Sequence, residues 1–132
     1  MTSAQVTKAL QAYFVLKFNS CEVEYAQAVP HSIKREVQWV RVTVKTGRGS
    51  ILEKGEDEPL TRIPGIAIFD VHTPLKFGGM KGLDVADEIQ ALFRVKEIGG
   101  IYTEQPYTDD LGASEFAFMH SVCVPFYYYQ GM

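Results

Sequence analysis

The chain has 132 residues, a formal net charge of −3, 46% hydrophobic residues and 22% charged residues. This length fits one domain, residues 1–132, with a core that needs no disulfide or metal staple, and the composition excludes a disordered chain. The mild acidity gives no electrostatic reason to expect nucleic acid as the main ligand, and no apolar run approaches the roughly 20 residues of a membrane span.

The N-terminus lacks the basic and then apolar stretches of a signal peptide. From residue 3 to about 17, Val6, Ala9, Leu10, Tyr13 and Phe14 form one stripe of an amphipathic helix that Thr2 or Ser3 can cap. Asn19 and Ser20 end it, Val23 to Ala28 alternates as a strand, and Pro30 closes that strand. His31 to Glu36 is polar and predicts a loop. Val37 to Thr46 is the cleanest strand: Val40, Val42 and Val44 make a core face, while Trp39, Arg41, Thr43 and Lys45 face solvent or another chain. Gly47-Arg48-Gly49 predicts a turn.

Glu53 to Glu58 is a charged loop closed by Pro59. It lacks the alternating carboxylates and terminal glutamate of a calcium loop, so no metal is expected there. A strand from Ile63 to Thr73 then breaks at Pro74, and a loop marked by Gly78, Gly79 and Gly82 follows. The helix expected next, Leu83 to Phe93, buries Val85, Ala86, Ile89, Leu92 and Phe93, with Asp84, Asp87 and Glu88 crowding its first turns. Ile98 to Glu104 predicts a short strand around Gly99-Gly100, and Pro106 to Gly112 a loop or hairpin tip. A long strand from Ser114 to about Tyr129 closes the chain, with both faces largely apolar and Pro125 marking an edge, bulge or bend. The order predicts an α+β fold, with two helices packed on one face of a mainly antiparallel or mixed β-sheet.

Candidate chemistry is sparse. Asp70 and His72 share a strand face but have no evident third partner for a metal or a base–acid pair. His120 and Cys123, three apart on a strand, point to opposite faces. Cys21 and Cys123 form no local motif, so reduced, cytosolic synthesis is the simplest inference. The segment Phe77-Gly78-Gly79-Met80-Lys81-Gly82 lacks both phosphate-loop fingerprints, and permissive backbone explains its glycines. The tail Phe126-Tyr127-Tyr128-Tyr129 has no nearby cations of its own and suits an interface better than a base-stacking platform. No catalytic residue, cofactor or metal ligand is assigned, and the chain is expected not to be an enzyme.

Several blocks occur together in one order: Trp39-Val40-Arg41-Val42-Thr43-Val44, a charged loop, Arg62-Ile63-Pro64-Gly65-Ile66-Ala67-Ile68-Phe69-Asp70-Val71, Thr73-Pro74 to Gly78-Gly79, Ala86 to Phe93, and a final Val122-Cys123-Val124-Pro125-Phe126-Tyr127-Tyr128. This pattern, spread over most of the chain, resembles the tail terminator (tail completion) proteins of long-tailed bacteriophages and prophages. The resemblance implies a virion structural protein, made in the bacterial host cytoplasm and located at the tail–neck junction. It implies a ring of identical subunits, typically six, that caps the tail tube, stops its polymerisation and offers a surface to the head. The implied partners are other copies of the chain, the tube protein and a head-side neck protein, with no membrane and no direct nucleic-acid recognition. Candidate interface residues are Lys45, Arg48, Glu53, Glu56, Asp57, Glu58, Arg62, Phe77 and Met80. A head-closure or head–tail connector protein is the alternative within assembly, and a small ligand-binding domain is the alternative from another class.

Overall fold

A computed structural model describes residues 1–26, 37–51 and 60–130. Helix α1 spans Ser3–Lys17. The Thr2 hydroxyl accepts the Gln5 backbone N–H at 3.1 Å, and the Gln5 side chain accepts the Thr2 N–H at 2.9 Å, a reciprocal cap that satisfies two otherwise orphaned donors. The strands are β1 (Glu22–Tyr25), β2 (Trp39–Thr46), β3 (Ser50–Ile51) and β4 (Thr61–Pro74) before helix α2 (Gly79–Phe93). After it come β5 (Glu97–Ile98), β6 (Ile101–Thr103), β7 (Tyr107–Ala113) and β8 (Ala117–Gln130).

Among the described residues the strands form one sheet in the order β1-β2-β4-β8-β6-β5, with β3 beside β4 and β7 beside β8. Only the β1–β2 pairing is parallel, so the sheet is mixed but mainly antiparallel, as the element order predicts. Strands β4 and β8 pair along their full lengths, from Thr61 opposite Gln130 to Pro74 opposite Ala117.

Both helices lie on one face. Val6, Leu10 and Phe14 of α1, with Val85, Ala86, Ile89 and Phe93 of α2, join Val40, Val42, Phe69, Val71, Val122, Val124, Phe126 and Tyr128 in one buried cluster. Its centre is aromatic. Phe69 lies 4.8 Å from Phe14 and 5.0 Å from Phe93, centroid to centroid, within the range where ring pairs add to burial.

Three expectations are corrected. Helix α2 begins at Gly79, a turn earlier than Leu83, so Asp84, Asp87 and Glu88 fall outside its first turn and gain little from the helix dipole. Gly78, at φ +78°, is the residue that needs glycine's left-handed freedom, whereas Gly79 and Gly82 are helical. Gly82 serves close packing: a Cβ there would sit 2.6 Å from His120 Nδ1 and 2.8 Å from Thr73 Oγ1. The segment expected as a loop or tip at Pro106 to Gly112 is instead strand β7, paired to β8 with a bulge between Asp110 and Ala113. Its exposure and its Asp-Asp-Leu-Gly composition hide an edge strand from pattern reading.

Pro125 sits inside an interior strand, opposite Ile66, rather than at an edge. It falls between the β7-paired and β6-paired halves of β8, where its carbonyl accepts the Glu104 N–H at 2.8 Å. A strand residue's N–H and C=O point to the same side, so the missing donor costs no ladder bond with β4. The β1 strand ends at Tyr25, and the rest of its expected range, with the loop expected at His31 to Glu36, lies largely outside the described residues.

A helix-interior Gly→Ala change ordinarily gains up to about 1 kcal/mol. At Gly82 the added methyl meets two buried side chains that cannot swing away, and overpacking of this kind costs about 1–3 kcal/mol. Gly82→Ala is therefore expected to destabilise the fold, read as a lower urea midpoint with an unchanged slope.

Candidate functional site

The second face of the sheet is covered by no described helix. Strand registers set its side chains in cross-strand rows: Trp39–His72–Met119, Arg41–Asp70–Ser121–Asp109, Thr43–Ile68–Cys123–Tyr107, Lys45–Ile66–Pro125, and Pro64–Tyr127–Tyr102. Period-two alternation produces this face directly, because along each strand these residues alternate with ones that point to the helix side. Phe126 and Tyr128 are 1% and 0% exposed on the helix side, so only Tyr127 and Tyr129 of the tyrosine tail face outward.

Three features stand out on this open face. At one end the Trp39 and His72 rings stack 4.1 Å apart beside a groove of ≈ 200 Å³ shared with Val37, Pro74, Ser114, Phe116 and Ala117. In the middle, Ser121 donates a hydrogen bond to Asp70 Oδ1. At the other end the Arg62 guanidinium lies 4.0 Å over the Tyr127 ring, which stacks 5.2 Å from Tyr102, while Tyr129 meets both rings edge-on. An arginine over a tyrosine face gains about 0.5–1 kcal/mol at an exposed site.

The interface candidates separate into two groups. Lys45, Arg48 and Arg62 are exposed together at the β4 start, where the Gly47 N–H bonds the Pro64 carbonyl at 2.7 Å. Phe77 and Met80 are exposed beyond the far end of β4, with Lys81 Nζ 4.2 Å and Lys76 Nζ 5.1 Å from the Phe77 ring centroid. Glu53, Glu56, Asp57 and Glu58 lie outside the described residues. Sequence reasoning missed Tyr102 as a partner of Tyr127, and it missed the acidic edge strand β7. The alternation of the last strand marks Tyr127 as outward, but only the β6–β8 register brings Tyr102 to it.

Titratable groups are perturbed mainly by burial. Cys21 is pushed up to about 11 by burial, then by Glu88 and Glu22, and burial also raises Cys123. Neither thiol is therefore primed as a thiolate nucleophile. His120 and Cys123 do face opposite sides, as their spacing predicts: His120 points under α2, and Cys123 onto the open face beside Tyr107. Among the described residues no group of three metal-ligating side chains comes together.

No protein-family model and no curated protein matches the chain. A solved structure, whose name states no activity, shares the fold with a TM-score of 0.65 at 17% identity, covering 94% of this chain and 95% of that one. At that identity the likeness establishes the fold alone.

Burial lowers the pKa of His72, Arg41 reinforces that, and Asp70 and Glu24 oppose it. The fold thus prefers neutral imidazole, so the native state binds fewer protons than the unfolded chain, where histidine titrates near 6.5. The stability this contributes is present above that value and falls as pH drops through about 6.5 towards the lower folded pKa. His72→Gln is expected to remove part of the loss of urea midpoint between about pH 7.5 and 5.5, with the wild-type-minus-variant difference as the readout.

Proposed function

We propose that this chain is a virion structural protein that caps the finished tail tube of a long-tailed bacteriophage as a ring, hexameric in the typical case. The ring would halt tube polymerisation and present the head-joining surface at the tail–neck junction, with the tube protein and a head-side neck protein as partners. The observation that carries this reading is the sheet face that no described helix covers, with outward tyrosines and Trp39 set among Arg41, Lys45 and Arg62. Tyrosine, tryptophan and arginine are the side chains that dominate protein–protein hot spots. The ordered blocks of sequence that resemble tail terminators support the particular assembly. A contact protein of this kind needs no catalytic group, and no enzymatic activity is assigned to it.

The groove beside Trp39 and His72 favours a second reading, a small ligand-binding domain. Its ≈ 200 Å³ falls below the roughly 300–1,000 Å³ of ordinary ligand pockets, which weighs towards a contact between proteins. A head-closure or connector role would use the same surface and differs in its partner.

Mixing the protein with its tube subunit, followed by negative-stain electron microscopy, tests the proposal. Tubes of bounded length, each ending in a ring of this protein, are expected. Tubes left unaltered, with no bound protein, would move the role to the head side of the neck if head parts bind it, and to ligand binding if the chain stays monomeric with both.

A further inference from the structure

The open face carries opposite charge at diagonal corners. One corner holds Arg62 over Tyr127, with Lys45 and Arg48 exposed nearby and Tyr102 and Tyr129 each 37% exposed. Among the described residues, Glu97, opposite Tyr102, offsets part of that positive charge but not its excess. The other corner is β7, where Tyr107 and Asp109 lie on the same face and Asp110 and Leu111 follow, all four exposed. Asp109 is level with Ser121 and Arg62 with Tyr129, eight positions further along β8. At about 3.3 Å per residue the corners are roughly 26 Å apart, several Debye lengths at physiological salt, so neither neutralises the other within one chain. Among the described residues the one contact within 4 Å between a basic and an acidic side chain is His120 with Asp110, and it leaves Asp109 and Arg62 unpaired.

We infer that the β7 edge of one copy, led by Asp109, seats against the Arg62–tyrosine corner of the next copy. This rests on the ring reading above and names its lateral contact. The guanidinium over Tyr127 would take the Asp109 carboxylate, and Tyr107 and Leu111 would pack on the tyrosine rings. The two surfaces differ, so the contact is head-to-tail, the kind that repeats with one rotation and closes into a ring. No described strand pairs with the outer side of β7. Its adjacent aspartates and its bulge discourage extension of the sheet by another strand, which leaves side-chain docking as the mode of contact.

Charge reversal tests this on the full chain. Arg62→Glu and Asp109→Lys proteins, both altered at exposed positions, are first checked for native melting by circular dichroism. Sedimentation velocity then follows each variant, the wild type and a 1:1 mixture of the variants, with and without tube subunit. Each variant alone is expected to associate at least tenfold more weakly than the wild type. The mixture, in which each reversed surface meets its complement, is expected to recover to within about threefold, as rings of alternating copies. Wild-type-like association of either variant, or a mixture as weak as its components, would overturn the contact while leaving the ring reading in place. Loss of rings on reversing Glu56 and Asp57, with none on reversing Asp109, would overturn it in favour of the acidic loop as the partner of Arg62. A wild type that forms no ring, alone or at tube ends, would overturn the contact and the ring reading together.

Discussion

The β4–β8 ladder is the constraint on which the rest of the molecule depends. Its two strands are each fourteen residues long and pair from end to end. That single register sorts Ala67, Phe69, Val71, Val122, Val124, Phe126 and Tyr128 beneath the helices, and Ile66, Ile68, Asp70, Ser121, Cys123 and Tyr127 onto the open face. A slip by one residue would exchange the two sets and strand the aromatic centre in water. Gly65 pins the register further. A Cβ there would lie 2.6 Å from Phe126 Cε2 and 2.7 Å from the Lys45 carbonyl, so the Phe126 ring occupies space that only glycine leaves free. Strands β2, β6 and β7 then take their positions from β4 and β8, and each row across the open face follows from theirs.

A sheet that the described helices cover on one side alone leaves apolar surface unburied on the other. Ile66, Ile68, Met119 and Tyr127 are half-buried there by their neighbours, with no covering layer among the described residues. Full burial of an aliphatic side chain gains about 1.5–3 kcal/mol relative to exposure, so part of that gain is still unrealised in the isolated chain. Association is one way to realise it. The helix face has no comparable reserve, because its strand residues are already close to fully buried.

The fold was legible in the sequence where a single period ran long enough to be read. The valine alternation of β2, the alternation of β8 from Val124 to Tyr128 and the helical spacing of Val85, Ala86, Ile89 and Phe93 all match the observed burial. Strand β7 was not legible: an exposed edge strand has no buried face to alternate against, and Asp109-Asp110 with Gly112 carries the composition of a turn. The start of α2 was hidden by glycines that serve helix–sheet packing rather than a loop. Of the candidate surface, sequence reasoning named Lys45, Arg48 and Arg62, which the structure exposes at one end of β4, as interface cations. It could not place Tyr102 against Tyr127, or His72 against Trp39, because those pairs depend on strand registers set by the whole sheet. It also grouped Phe77 and Met80 with residues that lie at the opposite end of β4.

The acidic edge is held by the core despite its exposure. Thr108 faces the helix side, where its hydroxyl accepts a hydrogen bond from Gln90 Nε2 of α2 at 2.6 Å. Two residues on, Asp110 Oδ1 lies 3.8 Å from Nε2 of His120, which is 2% exposed, and the same oxygen accepts the Gly112 N–H at 2.9 Å inside the bulge. The cost of this arrangement is visible at the other imidazole nitrogen: Nδ1 of His120 has no hydrogen-bond partner among the described residues, and an unmet buried polar group costs about 1–3 kcal/mol. Gly82 makes that geometry possible, since any side chain there would occupy the space over Nδ1. Helix α2 thus ties the edge strand through Gln90 at one point, and β8 holds it at another, where Asp110 pairs with His120 beneath Gly82. Asp109, between those two anchors, is presented on the open face at a position set by the core rather than by solvent.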